Sequence, residues 1–317
     1  MARRVTATRK LRWRLESVVF MAASNLVARL PLRAANAVGP ALGRLLFRLL
    51  KRRREIAVQN IERSLPFLEA QPGWERRSAV ELARETFENL GRTAVEVCRL
   101  YHDKGQAMID AVEFRGLEHF QKARERGRGV ALLTGHCGNW ELMALSFGSR
   151  VQNISVVAKR QDNQSLNAVL EKVRGRHGNS VIYADGALRN MLVQFRRNGV
   201  VGLLIDQATW TRNGVLVDFL GRPAWTTNML ALLARKNQVP LVPAFIHREG
   251  ERQVVEFHPE LELEPGAAHA DIEVQDTVQM TRCLEDYVVQ HPTEWYWVHQ
   301  RWKRAPQPAG PADGAKP

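Results

Sequence analysis

Only three cysteines occur in the chain, at Cys98, Cys137 and Cys283, and they lie far apart with no paired spacing. That excludes a disulfide framework or a zinc ribbon and points to a reducing compartment. No stretch reaches the roughly 18 clean apolar residues of a spanning helix, because Asn25, Arg29 and Arg33 interrupt the apolar region near the start. A basic start before apolar residues also suggests a signal peptide, but no convincing cleavage site follows. There is no internal repeat. Nor is there a helix-turn-helix, zinc-finger or RNP-like pattern that would mark a nucleic-acid binder.

Negative charge is in short supply. Against 46 Lys and Arg stand 33 Asp and Glu, a net charge of +13, so the partners are expected to be acidic. The opening "MARRVTATRKLRWR" holds Arg3, Arg4, Arg9, Lys10, Arg12 and Arg14 and no acid, and "KRRR" at 51–54 closes the apolar region that follows. Cations on both flanks keep both ends on the cytoplasmic side, which favours amphipathic helices in the membrane interface or a shallow re-entrant hairpin. An ordinary amphipathic helix packed on its own domain is the alternative.

With 317 residues, 45% hydrophobic and 25% charged, the chain is long and apolar enough for an ordered core. From 55 to about 108 the apolar spacing is helical, as in "AVELARETFENLGRTAVEVCRLY". Beyond 111, β-rich apolar runs appear at 129–134, 154–158, 180–184, 200–205, 240–246 and 253–257. Helical stretches fall between them near 162–176, 187–197, 226–237 and 271–290. This alternation predicts an α/β fold with a mixed, partly parallel central sheet flanked by helices. Four regions follow: a basic, amphipathic membrane-anchoring segment at 1–54, a helical region at 55–110, an α/β core at 111–304, and a Pro/Gly/Ala-rich disordered tail at 305–317.

The run at 129–134 ends in "GHCGNWE", residues 135–141. In open α/β sheets ligands bind beyond the carboxyl ends of strands, where His136 would sit, and Gly135 and Gly138 permit close backbone approach. "VVGLLIDQ" brings Asp206 and Gln207 to the same edge. His136 is suited to general-base work near neutral pH, with Glu141 accepting its other ring N–H. A structural His–Glu pair is the bland alternative. Zinc is disfavoured because a separation of five is not the helical ligand spacing and no further His or Cys stands nearby at ligand spacing. Cys137 is read as a small residue in a tight turn rather than a nucleophile.

Beyond that motif, "EKVRGRHGN" (171–179), "GVVGLLIDQ" (199–207), "VDFLGRPAWTT" (217–227), "VPLVPAFIHREG" (239–250) and "EWYWVHQRWKR" (294–304) occur in order. Together they resemble the lipid A biosynthesis late acyltransferases of Gram-negative bacteria, within the lysophospholipid acyltransferase superfamily and its HxxxxD/E motif. The likeness spans residues 10 to 304 and implies a glycerolipid-acyltransferase-like fold with N-terminal membrane-associating helices. It implies His136 and Glu141 as the catalytic pair, Arg174 or Arg176, with Arg176 mildly favoured, as phosphate or oxyanion ligands, Asp206 and Gln207 as the site wall, and Arg222 as a possible phosphate contact. "EWYWVHQRW" is read chiefly as a core-closing segment, with an interfacial aromatic belt or part of the acyl-chain pocket as the alternative, and His299 is not catalytic.

The implied reaction transfers a fatty acyl chain from acyl carrier protein to a hydroxyl of an anionic, glucosamine-based lipid A precursor. It takes place at the cytoplasmic face of the inner membrane, with no cofactor, no covalent acyl-enzyme and no nucleic-acid partner. The alternatives are an acyl-CoA-dependent glycerolipid or glycolipid acyltransferase, for instance of a mannosylated lipid, and a non-catalytic basic membrane-binding protein.

Overall fold

A computed structural model of the chain describes residues 6–263 and 269–306. The order is α1 (Ala7–Ala28), α2 (Leu32–Leu49), α3 (Lys51–Glu62), α4 (Leu65–Leu68), α5 (Ala79–Tyr101), α6 (Gln106–Asp110), β1 (Glu113–Arg115), α7 (Leu117–Glu125), β2 (Val130–Thr134), α8 (Trp140–Arg150) and β3 (Ile154–Ala158). It continues with α9 (Gln164–Arg174), β4 (Ser180–Tyr183), α10 (Ala187–Arg196), β5 (Val200–Leu204), β6 (Val215–Phe219), β7 (Arg222–Thr226), α11 (Met229–Asn237), β8 (Leu241–Glu249), β9 (Arg252–Phe257) and α12 (His269–Gln290).

Seven strands form one sheet in the order β1-β9-β8-β2-β5-β3-β4. β8, β2, β5, β3 and β4 are mutually parallel, while β9 runs antiparallel to β8 and carries β1 parallel to itself. The expected mixed, largely parallel sheet between helices is what the chain forms. β2 is buried at all five positions because both faces of the sheet are covered, which is why it reads as a continuous apolar run. One face packs on α7 and α8, with Phe120, Leu142 and Phe147 in its core. The other packs on α10, α11 and α12, with Phe195, Leu233 and Leu284.

The strands expected from apolar runs appear within a residue of their limits, save that β8 runs on to Glu249, three residues past its run, and β1 and the separate β6–β7 hairpin are additional. The hairpin turn is Leu220-Gly221, both with positive φ (51° and 73°). An Asn or Asp would have announced that turn; a leucine does not. Leu220 is held there by full burial and by its N–H donating to Glu285 Oε1 at 2.6 Å.

α1 buries Trp13, Ser17, Ser24 and Ala28 and turns Leu11, Leu15, Val18 and Leu26 to the outside, two helical stripes on opposite sides. Leu11 and Leu26 are 69% and 71% exposed. Among the described residues no helix is long and apolar enough to cross a membrane. The tail predicted to be disordered falls, from residue 307 on, outside the described residues.

α5 starts with a capping box, Ser78 Oγ accepting from Glu81 N–H and Glu81 Oε2 from Ser78 N–H, both at 3.2 Å. It then crosses the carboxyl edge of the sheet from one core to the other, with Phe87 in the first and Leu100 in the second. α2 crosses it on glycines: a Cβ at Gly91 would lie 2.2 Å from Gly39 O and 2.6 Å from Gly43 N. Ala is about 1 kcal/mol the better helix former, but overlap with rigid backbone outweighs that. Gly91→Ala is therefore expected to lower unfolding free energy by about 1–3 kcal/mol in urea titrations, with the slope unchanged.

Candidate active site

The sheet's carboxyl edge gathers residues from three distant segments. His136 leaves the end of β2 and is 20% exposed at its side chain. Its Nδ1 lies 2.8 Å from Asp206 Oδ1, and its backbone N–H donates to Asp206 Oδ2 at 2.9 Å. Trp295 Nε1 donates to the same Oδ2 at 2.9 Å. Asp206 accepts only, so His136 carries its hydrogen on Nδ1 and Nε2 is an acceptor, facing the Gln207 amide at 3.0 Å. Burial by itself raises the Asp206 pKa, but the charge and hydrogen bonds of His136, with the Trp295 N–H, overcome it and hold the carboxyl at about 2.

Glu141 is differently employed. Arg174 Nε lies 3.1 and 3.0 Å from its two oxygens, and Nη2 also reaches Oε1. The expectation that Glu141 accepts the His136 ring N–H is thus corrected: Asp206 takes that bond. Distance along the chain explains the error, since a partner 70 residues away leaves no local spacing to read.

The local backbone has clear causes. Asn139 caps α8, its Oδ1 accepting from Leu142 N–H at 3.0 Å, while its Nδ2 donates to Glu96 Oε2 at 2.8 Å. Gly138 has φ +47°, and a Cβ there would meet Ile246 O at 2.5 Å, so only glycine fits. The loop is stitched to the C-terminal segment by Gly138 N–H to Glu294 O (2.9 Å) and Tyr296 N–H to His136 O (3.2 Å). Cys137 is fully buried and burial pushes its thiol well up, in keeping with a packing role.

A cavity of about 370 Å³ opens beside this pair, lined by His136, Trp140, Glu141, Lys159, Arg174 and Gln207 among others. A smaller apolar cavity of about 40 Å³ continues it between α8 and the sheet, sharing Trp140, Ala144, Val156 and Leu204 and reaching Phe147 and Gly202. The result is a cationic mouth, a histidine on the wall and a hydrocarbon-lined end.

The structure brings His136, Glu141, Arg174, Asp206 and Gln207 together. Arg176 lies elsewhere, paired with Asp103 at 2.7 Å and bonded to Leu100 O. Arg222 bonds Asn60 O at 3.0 Å and Ser64 Oγ at 3.1 Å and stacks on Trp302, away from the cavity. The sequence reading did not place Trp295 on Asp206, nor single out Arg301, a buried guanidinium bonded to the carbonyls of Trp225 (2.6 Å) and Gln207 (3.4 Å). Trp295 does close the core, as read, at 1% exposure. His299 lies 3.4 Å from Ala208 N, and burial pushes its pKa down to about 4. Among the described residues no group of three His, Cys, Asp or Glu is placed to hold a metal.

The model of the bacterial lipid A biosynthesis acyltransferase family matches residues 2–304. The chain belongs to that family. It is 26% identical over 284 residues to the lipid A biosynthesis lauroyltransferase of Escherichia coli (strain K12), covering 89% of each protein. It is 23% identical over 287 residues to the palmitoleoyltransferase of the same strain, again covering 89% of each. A phosphatidylinositol mannoside acyltransferase of Mycobacterium tuberculosis (strain CDC 1551 / Oshkosh) is 29% identical over 227 residues, 68% of this chain and 69% of that protein. This lipid A acyltransferase family member is accordingly an O-acyltransferase of the late-acyltransferase type, and the non-catalytic reading falls away.

Because the Asp206 carboxyl is held at about 2 against an ordinary 3.8, its linkage to folding is present above about 3.8 and is lost as pH falls toward 2. The stability gap between the natural chain and Asp206→Asn should therefore narrow by about 2 kcal/mol between pH 5 and pH 2, measured by urea unfolding at each pH. A gap that stays constant would mean that the carboxylate is not held this way.

Proposed function

We propose that the protein moves a fatty acyl chain from acyl carrier protein to a hydroxyl of an anionic, glucosamine-based lipid A precursor at the cytoplasmic face of the inner membrane. The observation that carries the chemistry is His136, with Nδ1–H fixed on buried Asp206 and Nε2 open to a cavity with a cationic mouth and an apolar end. The acceptor hydroxyl takes the place of the Gln207 amide at Nε2. As its oxygen bonds to the thioester carbonyl carbon, its proton passes to Nε2. Asp206 steadies the imidazolium. The C–S bond then breaks, and His136 returns the proton to the departing thiolate, so no acyl-enzyme forms.

Arg174, fixed by Glu141 through Nε and Nη2, keeps Nη1 for an anionic group of substrate or for the developing oxyanion. Glu141 thus acts through Arg174 as a positioning residue, and Arg176 and Arg222 have structural roles. The acid-poor first helix, with its exposed apolar stripe, supports a monotopic membrane association. The net charge of +13 suits an acidic carrier protein. A mannosylated phosphatidylinositol acceptor is the second reading, favoured by the 29% identity to the mannoside acyltransferase.

The test is acyl transfer by protein reconstituted in membranes, offering labelled acyl carrier protein and acyl-CoA thioesters with a tetra-acylated Kdo-lipid A precursor, a mannosylated phosphatidylinositol or lysophosphatidate. Transfer from the carrier protein to the lipid A precursor is expected. Transfer only to one of the other acceptors would reassign the substrate. His136→Ala and Asp206→Asn should each lower kcat by about 10²–10⁴-fold, whereas Glu141→Gln should chiefly raise KM. A kcat unchanged in Asp206→Asn would remove Asp206 from the mechanism.

The apolar end sets chain length. Gly202 lies on its floor, and a Cβ there would meet Ile154 Cδ1 at 3.0 Å. Gly202→Val should shift preference to shorter acyl donors, with kcat/KM for the longer ones falling about fourfold per excluded methylene at about 0.8 kcal/mol each. A chain-length profile from matched thioesters reads this directly, and an unshifted profile would put the chain elsewhere.

A further inference from the structure

Another cavity, of about 270 Å³, opens at the same sheet edge where the start of α2, α5, α6 and the β8–β9 hairpin meet. It shares no lining residue with the two cavities beside His136, and the loop after β2 lies between them. Five cations line it, Arg92, Arg99, Lys104, Arg248 and Arg252, against two acids, Glu96 and Glu251.

The pairings leave an excess. Glu96 is taken by Arg248 Nη2 at 2.5 Å and by the amides of Gln253 and Asn139. Glu251 accepts from Asn36. Arg252 is shared by Glu113 at 3.1 Å and Glu249 at 3.3 Å. Arg99 donates to the carbonyls of Ala28 and Leu30, at 3.3 and 2.8 Å. The side chains of Arg92 and Lys104 make no hydrogen bond or ion pair among the described residues, and the acids one turn from Arg92 on α5, Glu88 and Glu96, are held by Arg44 and Arg248. Glu294 feels the Arg92 charge, which lowers its pKa, but burial is the larger effect and pushes that carboxyl up to about 7.

Arg92 is half-buried and none of its nitrogens is shut away from solvent, so an anion entering the cavity can meet the guanidinium with charge-assisted hydrogen bonds. The rest of the wall is apolar, with Leu32, Ala35, Val95 and Met108. Leu32, on this wall, is 58% exposed, and Leu26, near the end of α1, is 71% exposed.

We propose that this cavity is a second lipid site that takes an anionic amphiphile, a phosphate-class headgroup between Arg92 and Lys104 and the start of a hydrocarbon chain against Leu32 and Met108. The site is independent of the acyl-transfer reading. Through Glu96 and Asn139 it adjoins the cap of α8, so an occupant there sits one hydrogen bond from the loop that carries His136.

The experiment is calorimetric titration of the full chain with dihexanoyl phosphatidate below its micelle concentration. Saturable binding at one site is expected, weakened at least tenfold by Arg92→Gln with Lys104→Gln and abolished by Ala107→Trp, which fills the mouth. Binding should survive His136→Ala. It should also survive Arg196→Gln with Arg197→Gln, which removes the same charge from the end of α10. Equal weakening by both double variants would reduce the effect to general electrostatics and overturn the site, as would loss in His136→Ala. Equal affinity for inorganic phosphate would remove the lipid from the assignment, and equal affinity for dihexanoyl phosphatidylcholine would remove the anion. Should the Arg92/Lys104 variant fail to fold, Ala107→Trp alone decides.

Discussion

A buried carboxylate is the constraint on which the rest of the site depends. Asp206 is 3% exposed, and a carboxylate so placed is tolerated only when its oxygens are met by donors. Here three N–H groups meet it, two from His136 and one from the Trp295 indole, all within 2.9 Å. Those bonds fix the ring tautomer, and they also fix where the chain after α12 must run. Trp295 pairs with Cys137 as an isolated bridge, and its neighbours Glu294 and Tyr296 bond the backbone on either side of it. The loop that carries His136 is therefore shaped as much by the segment after α12 as by β2. Arg301, buried against the carbonyl of Gln207, ties the same terminal segment to the residue after Asp206.

Much of the scaffold was legible because parallel strands covered on both faces leave an unmistakable trace: short apolar runs separated by helix-length segments. β2, β3, β5 and β8 fell where those runs lie. β1 is three residues long, too short for any period to show. The β6–β7 turn hides because a leucine occupies a left-handed position paid for by its own burial. His136 was legible from its place at a strand end; the arginine motif was legible too, but it favoured Arg176 over Arg174, and the partners of His136 and Arg174 did not show. Sequence spacing reads neighbours on one element, so it offered Glu141 to His136. The fold instead supplies Asp206 from the adjacent strand β5 and gives Glu141 to Arg174 at the end of α9. Trp295 was seen as a core residue and is one. What one sequence does not carry is that its indole N–H ends on the site's carboxylate.

The apolar end of the active-site cavity shows the same division between chemistry and packing. On β5, Val201 and Leu203 face the helices α10 to α12, while Val200, Gly202 and Leu204 face α8 by simple alternation. The glycine removes one side chain from that face, opposite Ala144 on α8, and the space left is lined by carbon. Interiors close-pack unless something holds them open. An apolar cavity that adjoins the one lined by His136 is the arrangement expected where a hydrocarbon chain completes the packing.

Charge and apolar surface also fall on the molecule in a way that orients it. Arg9, Lys10, Arg12 and Arg14 stand in the first two turns of α1, beside the outward stripe that begins at Leu11 and Leu15. Arg12 is paired with Glu16 at 2.9 Å; near an anionic bilayer each of the other three would contribute about 1 kcal/mol, about 3 kcal/mol together, or roughly a hundredfold in partition. That term alone is reversible and sensitive to salt. The leucine and valine stripe adds a contribution that salt does not screen, and it acts on one face only. On the proposed membrane reading, the two together would favour one orientation of α1 at the surface over all others. Because α1 packs on α5 and α9, which border the two cavities, that orientation also sets how the sheet edge meets the lipid. On the proposed membrane reading, an acceptor anchored by its acyl chains need only slide along the surface, and the cations at the cavity mouths meet headgroups that are already at their level.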